Sequence, residues 1–473
     1  MSPAQKAVRP NPALSPQIGR IARLLRLDPA EVQGLEEVPD ADLRLLHDQI
    51  SKTLFGDAQR RFARIAGLSK TIPGPIAGVL AEKFLPPVMA ARTAEMLDPV
   101  KARDLIGRVS IGYLAEIALA LDPVRSKPVV QKLPPEPIGK VAKELFGRQE
   151  YATMAEFVGT VTVDALFAAL RAASPHDLLA VVPLLEWNDN LDVVIADLPD
   201  AQVREIAAAL TPAELADLAL ALDPSRIGPI VAAVPPETIA GIAEALFARG
   251  EHVAMAAFVG VVTPEMLHAA LGVASGHDLL AVVPLLEWND NLDHVIATLP
   301  AAQVEQIVAE LSPAELADLA LALDPSRFGP IVAIVPTSTV AAIAQVLFER
   351  REYAGMAAFV GVVTPKMLHA ALGVASAADL LAVVPLLEWT PAIDGVVDEL
   401  PDATLDALFA EIARGADWDV AKAAFERLSA TAQQRLFARF DRLSAANQKK
   451  IRSAAEDGEL GPAAAALMAG SSI

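Results

Sequence analysis

The chain has 473 residues, a formal net charge of −20 and no cysteine. The missing thiols exclude disulfides and thiolate metal sites, and the acidic balance argues against nucleic acid and against a polybasic grip on a membrane, because both demand a basic surface. Hydrophobic residues make up 53 % of the chain and mean hydropathy is +0.39, above the roughly 45–50 % usual for soluble proteins even when Gly is counted, so an unusual amount of apolar surface has to be covered.

The N-terminus, MSPAQKAVRPNPALSP, lacks the apolar stretch of a secretory signal, so residues 1–15 are expected to be a disordered arm of a cytoplasmic protein. Residues 16–89 begin with the charged stretch IGRIARLLRLDPAEVQGLEEVPDADLRLLHDQI and are expected to form a helical cap followed by degenerate hairpins. The dominant feature then begins. The segment LLAVVPLLEW ends at Trp187 and returns unchanged at Trp288 and Trp389, each step being 101 residues (288 − 187 and 389 − 288). Met255 to Trp288 matches Met356 to Trp389 at 31 of 34 positions and Met154 to Trp187 at 25 of 34. Three tandem copies follow, over 90–190, 191–291 and 292–392, the first being the most diverged.

Within one copy, from Asp223 to Asp324, the chain is punctuated at Pro224, Pro235 and Pro236, Gly250, Thr263 and Pro264, Ser275 and Gly276, Asn289 to Asn291, Pro300, and Ser312 and Pro313. Proline at the first turn and Ser, Thr, Asp or Asn at the cap mark helix starts, which predicts eight short helices, or four hairpins. Helices of about a dozen residues are marginal alone, so each must rest on its neighbours. The predicted fold is an all-α solenoid of short helical hairpins. A membrane span is not predicted, because the longest charge-free stretch, Phe328 to Phe348, is interrupted by Pro330, Pro336, Thr337, Ser338 and Thr339. Residues 393–473 continue the pattern briefly and then turn polar, as a cap that closes the last apolar face must.

The run LTPAELADLALALDP leading into a short apolar helix and VPPE (Leu210 to Glu237) resembles the cytoplasmic N-domain of MgtE-type magnesium transporters. That resemblance covers about residues 90–412 and implies a right-handed superhelix of short helices. The regulatory and membrane domains that accompany it in the transporters have no counterpart here, so neither transport nor magnesium sensing is carried over.

The copies also test candidate sites against each other. WNDNLD (Trp187 to Asp192, Trp288 to Asp293) offers carboxylate and amide oxygens of the kind calcium takes, yet its third occurrence is WTPAID. Thr followed by Pro caps a helix equally well and binds no ion, so the run is read as a cap. His176 and His277 precede Asp177 and Asp278, where Ser174 and Ser275 complete an S-x-x-D capping box, and the third copy has Ala378. His268 and His369 replace Phe167 and are read as packed rings. Metalloprotease, nucleophile-elbow and phosphate-loop signatures do not occur. No catalytic, cofactor-binding or metal-ligating residue is predicted, and the chain is read as a non-enzyme.

What recurs is an apolar surface carrying one aromatic and one acid: Trp187, Trp288 and Trp389 with Glu186, Glu287 and Glu388, and Met255, Phe258, Met356 and Phe359 from the all-apolar MAAFVGVV segments. Pro183, Pro284 and Pro385 bend or break the helix before each tryptophan. Two uses follow. The first is a scaffold docking a basic or apolar protein or peptide. The alternative is a soluble carrier of lipid or another apolar small molecule, which would explain the excess hydrophobicity.

Overall fold

The computed structural model describes residues 29–39, 74–387, 400–415 and 418–470, with isolated positions between 18 and 67 and residue 393. The expected arm at 1–15, and Glu388 and Trp389, lie outside the described residues. The protein is an all-α solenoid, with no strand among the described residues. It divides into two compact units, Met1–Val234 and Pro235–Ile473.

In the first unit the helices are α1 (Gly74–Phe84), α2 (Pro87–Ala94), α3 (Pro99–Ile106), α4 (Ile111–Ala120), α5 (Pro123–Val130), α6 (Pro135–Gly147) and α7 (Tyr151–Phe157). They continue as α8 (Val163–Leu170), α9 (Pro175–Val181), α10 (Asp189–Ala196), α11 (Asp200–Ala209), α12 (Pro212–Ala221) and α13 (Gly228–Ala233). Each packs mainly on its next-but-one neighbour: α2, α4, α6 and α8 form one row, and α1, α3 and α5 another. Short connections force successive helices to run antiparallel, and helices two apart then lie side by side.

Local sequence explains the starts. Asp98 accepts the Val100 N–H at 2.9 Å and Asp122 the Arg125 N–H at 3.1 Å, each just before a proline that begins the helix. Ser174 and Asp177 form the expected reciprocal capping box, as do Ser275 with Asp278 and Ser376 with Asp379. Thr211 with Glu214 and Ser312 with Glu315 make two more. Each such cap contributes on the order of 1 kcal/mol.

The ends are equally regular. Gln149, Gly250 and Arg351, 101 residues apart, adopt positive φ angles of 59°, 73° and 59°. The following N–H groups of Glu150, Glu251 and Glu352 reach back to Leu145, Leu246 and Leu347 at 2.9–3.0 Å, the left-handed ending that satisfies orphan carbonyls. Rows approach closely where side chains are small: a Cβ on Gly139 of α6 would lie 2.9 Å from the Ala168 carbonyl oxygen in α8.

The second unit contains α14 (Pro236–Ala248), α15 (His252–Phe258), α16 (Pro264–Leu271), α17 (Gly276–Val282), α18 (Asp290–Thr298), α19 (Ala301–Glu310) and α20 (Pro313–Ala322). Next come α21 (Pro325–Val332), α22 (Thr337–Glu349), α23 (Tyr353–Phe359), α24 (Pro365–Gly373) and α25 (Ala377–Val383). The eight helices expected between 223 and 324 therefore exist, α13 to α20, with short 3-10 turns at Pro224–Arg226 and Val283–Leu285. The long charge-free stretch is two helices, α21 and α22. No helix among the described residues is long and apolar enough to cross a membrane.

The polar end comprises α26 (Asp402–Gly415), α27 (Trp418–Arg427), α28 (Ala430–Phe437), α29 (Ala445–Glu456) and α30 (Gly461–Gly470). Its core gathers Leu405, Phe409, Phe425, Leu436, Phe440 and Ile451, with Phe437 edge-on to Phe409 and Phe425. Arg439, 7 % exposed, is held bidentately by Asp406 at 2.7 Å and paired to Asp402. A buried guanidinium tolerates burial only with such satisfaction.

Candidate functional site: two apolar cavities

Each unit contains an apolar cavity between its helices. The first has a volume of about 610 Å³ and is walled by α1 to α10, with Leu114, Ile117, Val141, Leu166 and Leu178 among its lining residues. The second, of about 290 Å³, is walled by α14 to α24 and includes Met255, Trp288, Phe328, Met356 and Phe359. Many of these apolar side chains are only half-buried, Leu114, Ile117, Leu166 and Leu178 among them, so the walls keep solvent-accessible apolar surface after the solenoid has packed. Part of the excess hydrophobicity of the chain lies on these walls.

The few polar groups on the first wall are already engaged. Tyr113 Oη lies 2.9 Å and 2.8 Å from the carbonyl oxygens of Ala81 and Leu85. The Thr93 hydroxyl donates to Met89 O at 2.8 Å and the Ser126 hydroxyl to Pro123 O at 3.4 Å. In the second cavity the polar atom is the Trp288 indole nitrogen, which donates to Asp293 Oδ1 at 2.8 Å. These walls offer contact area and almost no hydrogen bonding.

The recurring tryptophan is engaged with its own chain. Pro183 and Pro284 end α9 and α17 in 3-10 turns, after which Leu185 and Leu286 are extended, and this hands Trp187 and Trp288 to the start of the next helix. Trp187 donates to Asp192 Oδ1 at 2.8 Å, as Trp288 does to Asp293. Arg226 then lies 5.4 Å above the Trp187 ring while pairing with Asp192 at 3.0 Å. Arg327 repeats this over Trp288 at 5.3 Å, pairing with Asp293 at 2.7 Å. The hydrogen bond from Trp288 holds the Asp293 carboxyl below the usual range, with Arg327 adding to the effect. Trp187 and Trp288 thus tie one helical hairpin to the next; the sequence pattern places Asp192 and Asp293 only in a capping run and does not single out Arg226 and Arg327, which lie 39 residues beyond the tryptophans.

One period earlier the clamp is absent. Positions 101 residues before Trp187 and Asp192 hold Pro86 and Ala91, and Arg125, the counterpart of Arg226, turns to Glu95 at 3.5 Å. Glu95 also accepts the Asp122 N–H at 3.3 Å, joining the end of α2 to the start of α5.

The asparagines of WNDNLD are structural as well. Asn188 accepts from the N–H groups of Asn190 and Leu191, and Asn289 from that of Leu292. Asn190 and Asn291 donate across to Val161 O and Val262 O at 3.0 and 2.9 Å. No cluster of three or more metal-ligating side chains occurs among the described residues. His176 and His277 are exposed and lie 3.5 Å from Glu214 and Glu315. His268 has its ring nitrogens 3.1 Å from Pro264 O and 3.3 Å from the Thr298 hydroxyl.

Of the residues singled out from sequence, Met255, Met356, Phe359 and Trp288 come together on the second cavity wall. Phe258 is half-buried outside that wall, and Trp187 lies outside the first cavity's lining. Glu186 and Glu287 are exposed. A further cross-tie was not foreseen: Tyr151 and Tyr353 donate to the capping aspartates Asp177 and Asp379 at 3.0 Å, and the middle copy places His252 3.7 Å from Asp278. The 101-residue spacing of Tyr151, His252 and Tyr353 was the available signal. No protein-family model matches the chain, and no curated protein sequence matches it.

Proposed function

We propose that the protein is a non-enzymatic, cytoplasmic carrier or binding protein for elongated apolar small molecules, held between the helices of the solenoid. The observation that carries this reading is the 610 Å³ cavity, whose few polar wall groups are engaged with backbone carbonyls. Its size falls within the roughly 300–1,000 Å³ of ligand sites.

The character of the wall favours a hydrocarbon chain over a peptide. Every peptide residue brings an N–H and a carbonyl, and each left unpaired in an apolar site costs about 1–3 kcal/mol. A hydrocarbon chain brings neither and gains on the order of 25 cal/mol for each Å² withdrawn from water. The scaffold reading, in which the tryptophans anchor a protein partner, is weakened by the engagement of Trp187 and Trp288 with Asp192, Arg226, Asp293 and Arg327.

Native mass spectrometry of the purified full-length protein, repeated after organic extraction, tests the proposal. A retained apolar molecule, or uptake of a fluorescent fatty-acid probe by the stripped protein, is expected. Ala118 lines the first cavity, and Ala118→Trp should abolish uptake there while leaving the helical circular-dichroism spectrum intact. A protein that emerges empty and takes up no probe overturns the proposal.

A further inference from the structure

The internal copies allow the electrostatics of the two cavities to be compared on one scaffold. Residues 96–148 contain nine Lys and Arg against six Asp and Glu, a net of 9 − 6 = +3. The corresponding residues 197–249 carry three against eight, or −5, and 298–350 two against six, or −4. A module that is acidic in two copies is basic in the one that builds α3 to α6, half the wall of the larger cavity.

The substitutions fall beside the lining positions. On α3, Ala102, Leu105 and Ile106 line the cavity, as does Val109 just beyond its end; at 100° per residue Lys101 flanks the helical stripe, and Arg108 immediately precedes Val109. The counterparts of Lys101 and Arg108 are Gln202 and Ala209, then Gln303 and Glu310. Ser126, Val129, Val130 and Leu133 line the cavity from the α5 region, flanked by Lys127 and Lys132, where the later copies have Gly228 and Ala233, then Gly329 and Ile334. In the later copies cations are consumed in ion pairs, Arg226 with Asp192, Arg327 with Asp293 and Arg350 with Asp318. Among the described residues, Lys101, Arg103, Arg108, Lys127, Lys132 and Lys143 belong to no ion pair.

The other half of the same wall is acidic. Residues 149–194, which form α7 to α9 and begin α10, hold one Arg against seven Asp and Glu, or −6. The larger cavity is therefore polarised along its length, and a low-dielectric groove focuses such a difference onto whatever occupies it.

We infer that the larger cavity selects anionic amphiphiles, the acid group lying toward α3 and α5 and the hydrocarbon tail toward α8 and α10, whereas the smaller cavity has no preference for an acid. This inference rests on the carrier reading and specifies its ligand class. The cations meet the head group at the border of the cavity, since the wall itself has no free donor to give it.

The test uses the full chain with three probes of equal chain length, palmitate, hexadecanol and hexadecylamine, followed by native mass spectrometry and by displacement of a fluorescent probe. Ala118→Trp and Ala320→Trp, each filling one cavity, assign the binding to its site. At low salt palmitate should bind the larger cavity about fivefold more tightly than hexadecanol, the scale of one partly screened charge interaction. The preference should shrink toward unity at high salt and disappear in the variant Lys101→Glu, Lys127→Glu, Lys132→Glu. The salt series on the unmodified protein stands even if that variant does not fold. Equal binding of palmitate and hexadecanol, or a preference that follows the smaller cavity, overturns the inference and leaves the carrier reading in place. Failure of all three probes to bind overturns both.

Discussion

Trp288 donates its indole N–H to Asp293, five residues ahead, at 2.8 Å, and this bond turns a repeated aromatic into a joint between hairpins. Arg327 closes the arrangement from α21, and Phe328 packs edge-on to the Trp288 ring at 5.2 Å. If the tryptophans were anchors for a partner, replacing them would leave the folded state untouched. The structure predicts the opposite. Trp288→Ala should lower stability by about 2–4 kcal/mol through lost packing, read as a shift in the denaturant midpoint. Arg327→Ala should cost under about 1 kcal/mol, because its guanidinium is 39 % exposed and screened by water. An unchanged midpoint for Trp288→Ala would return the tryptophans to the surface.

The left-handed positions offer a gain of stability. Gln149 and Arg351 occupy the conformation that Gly250 provides at the same point of the middle copy, and a side chain there is disfavoured by its Cβ. Gln149→Gly and Arg351→Gly should each stabilise the protein by about 0.5–1 kcal/mol, whereas Gly250→Ala should destabilise it by a similar amount. Thermal melts of the three variants decide it, and a loss of stability in both glycine variants would contradict the assignment.

Much of the fold was legible because its punctuation is chemical. Pro, Ser, Thr and Asp stand where helices begin, so the breaks at Pro235, Ser275, Pro300 and Ser312 fell at the starts of α14, α17, α19 and α20. The Ser174 capping box could be read because it is local, spanning three residues. The clamp and the cavities could not. Arg226 is 34 residues from Asp192, and nothing in a single hairpin says which acid its arginine will meet. Met255 and Trp288 stand out by their repetition and share one cavity wall, but the larger cavity is built largely by the diverged copy, where repetition is weakest. The acidic total of the chain also concealed the basic module at 96–148, because an average over 473 residues says nothing of where a charge lies.

Close packing sets the next expectation. With Ala168 O only 2.9 Å from where a Cβ on Gly139 would sit, Gly139→Val should force α6 and α8 apart and destabilise by about 1–3 kcal/mol. Since both helices line the larger cavity, the same variant should weaken uptake of an apolar probe there and leave the smaller cavity's uptake unchanged. Equal stability of the variant and the parent would mean that the rows have room to spare.

Acid should loosen the solenoid through its capping aspartates. Partial burial pushes the carboxyls of Asp177 and Asp379 up, yet the hydrogen bonds from Ser174 and Tyr151, and from Ser376 and Tyr353, outweigh it and hold both below their usual value. A carboxylate whose folded pKa lies below its unfolded value contributes stability above the unfolded pKa, about 4 for Asp, and that contribution is lost as pH falls through the folded value. The melting temperature should therefore be insensitive to these two groups between pH 5 and 7, at values roughly above the unfolded pKa, and should fall on acidification below about pH 4. Tyr151→Phe combined with Tyr353→Phe removes one donor from each aspartate, so the double variant should start less stable at neutral pH and show a shallower acid limb. Parallel acid limbs in the parent and the double variant would show that the two tyrosine hydroxyls do not stabilise the charged caps.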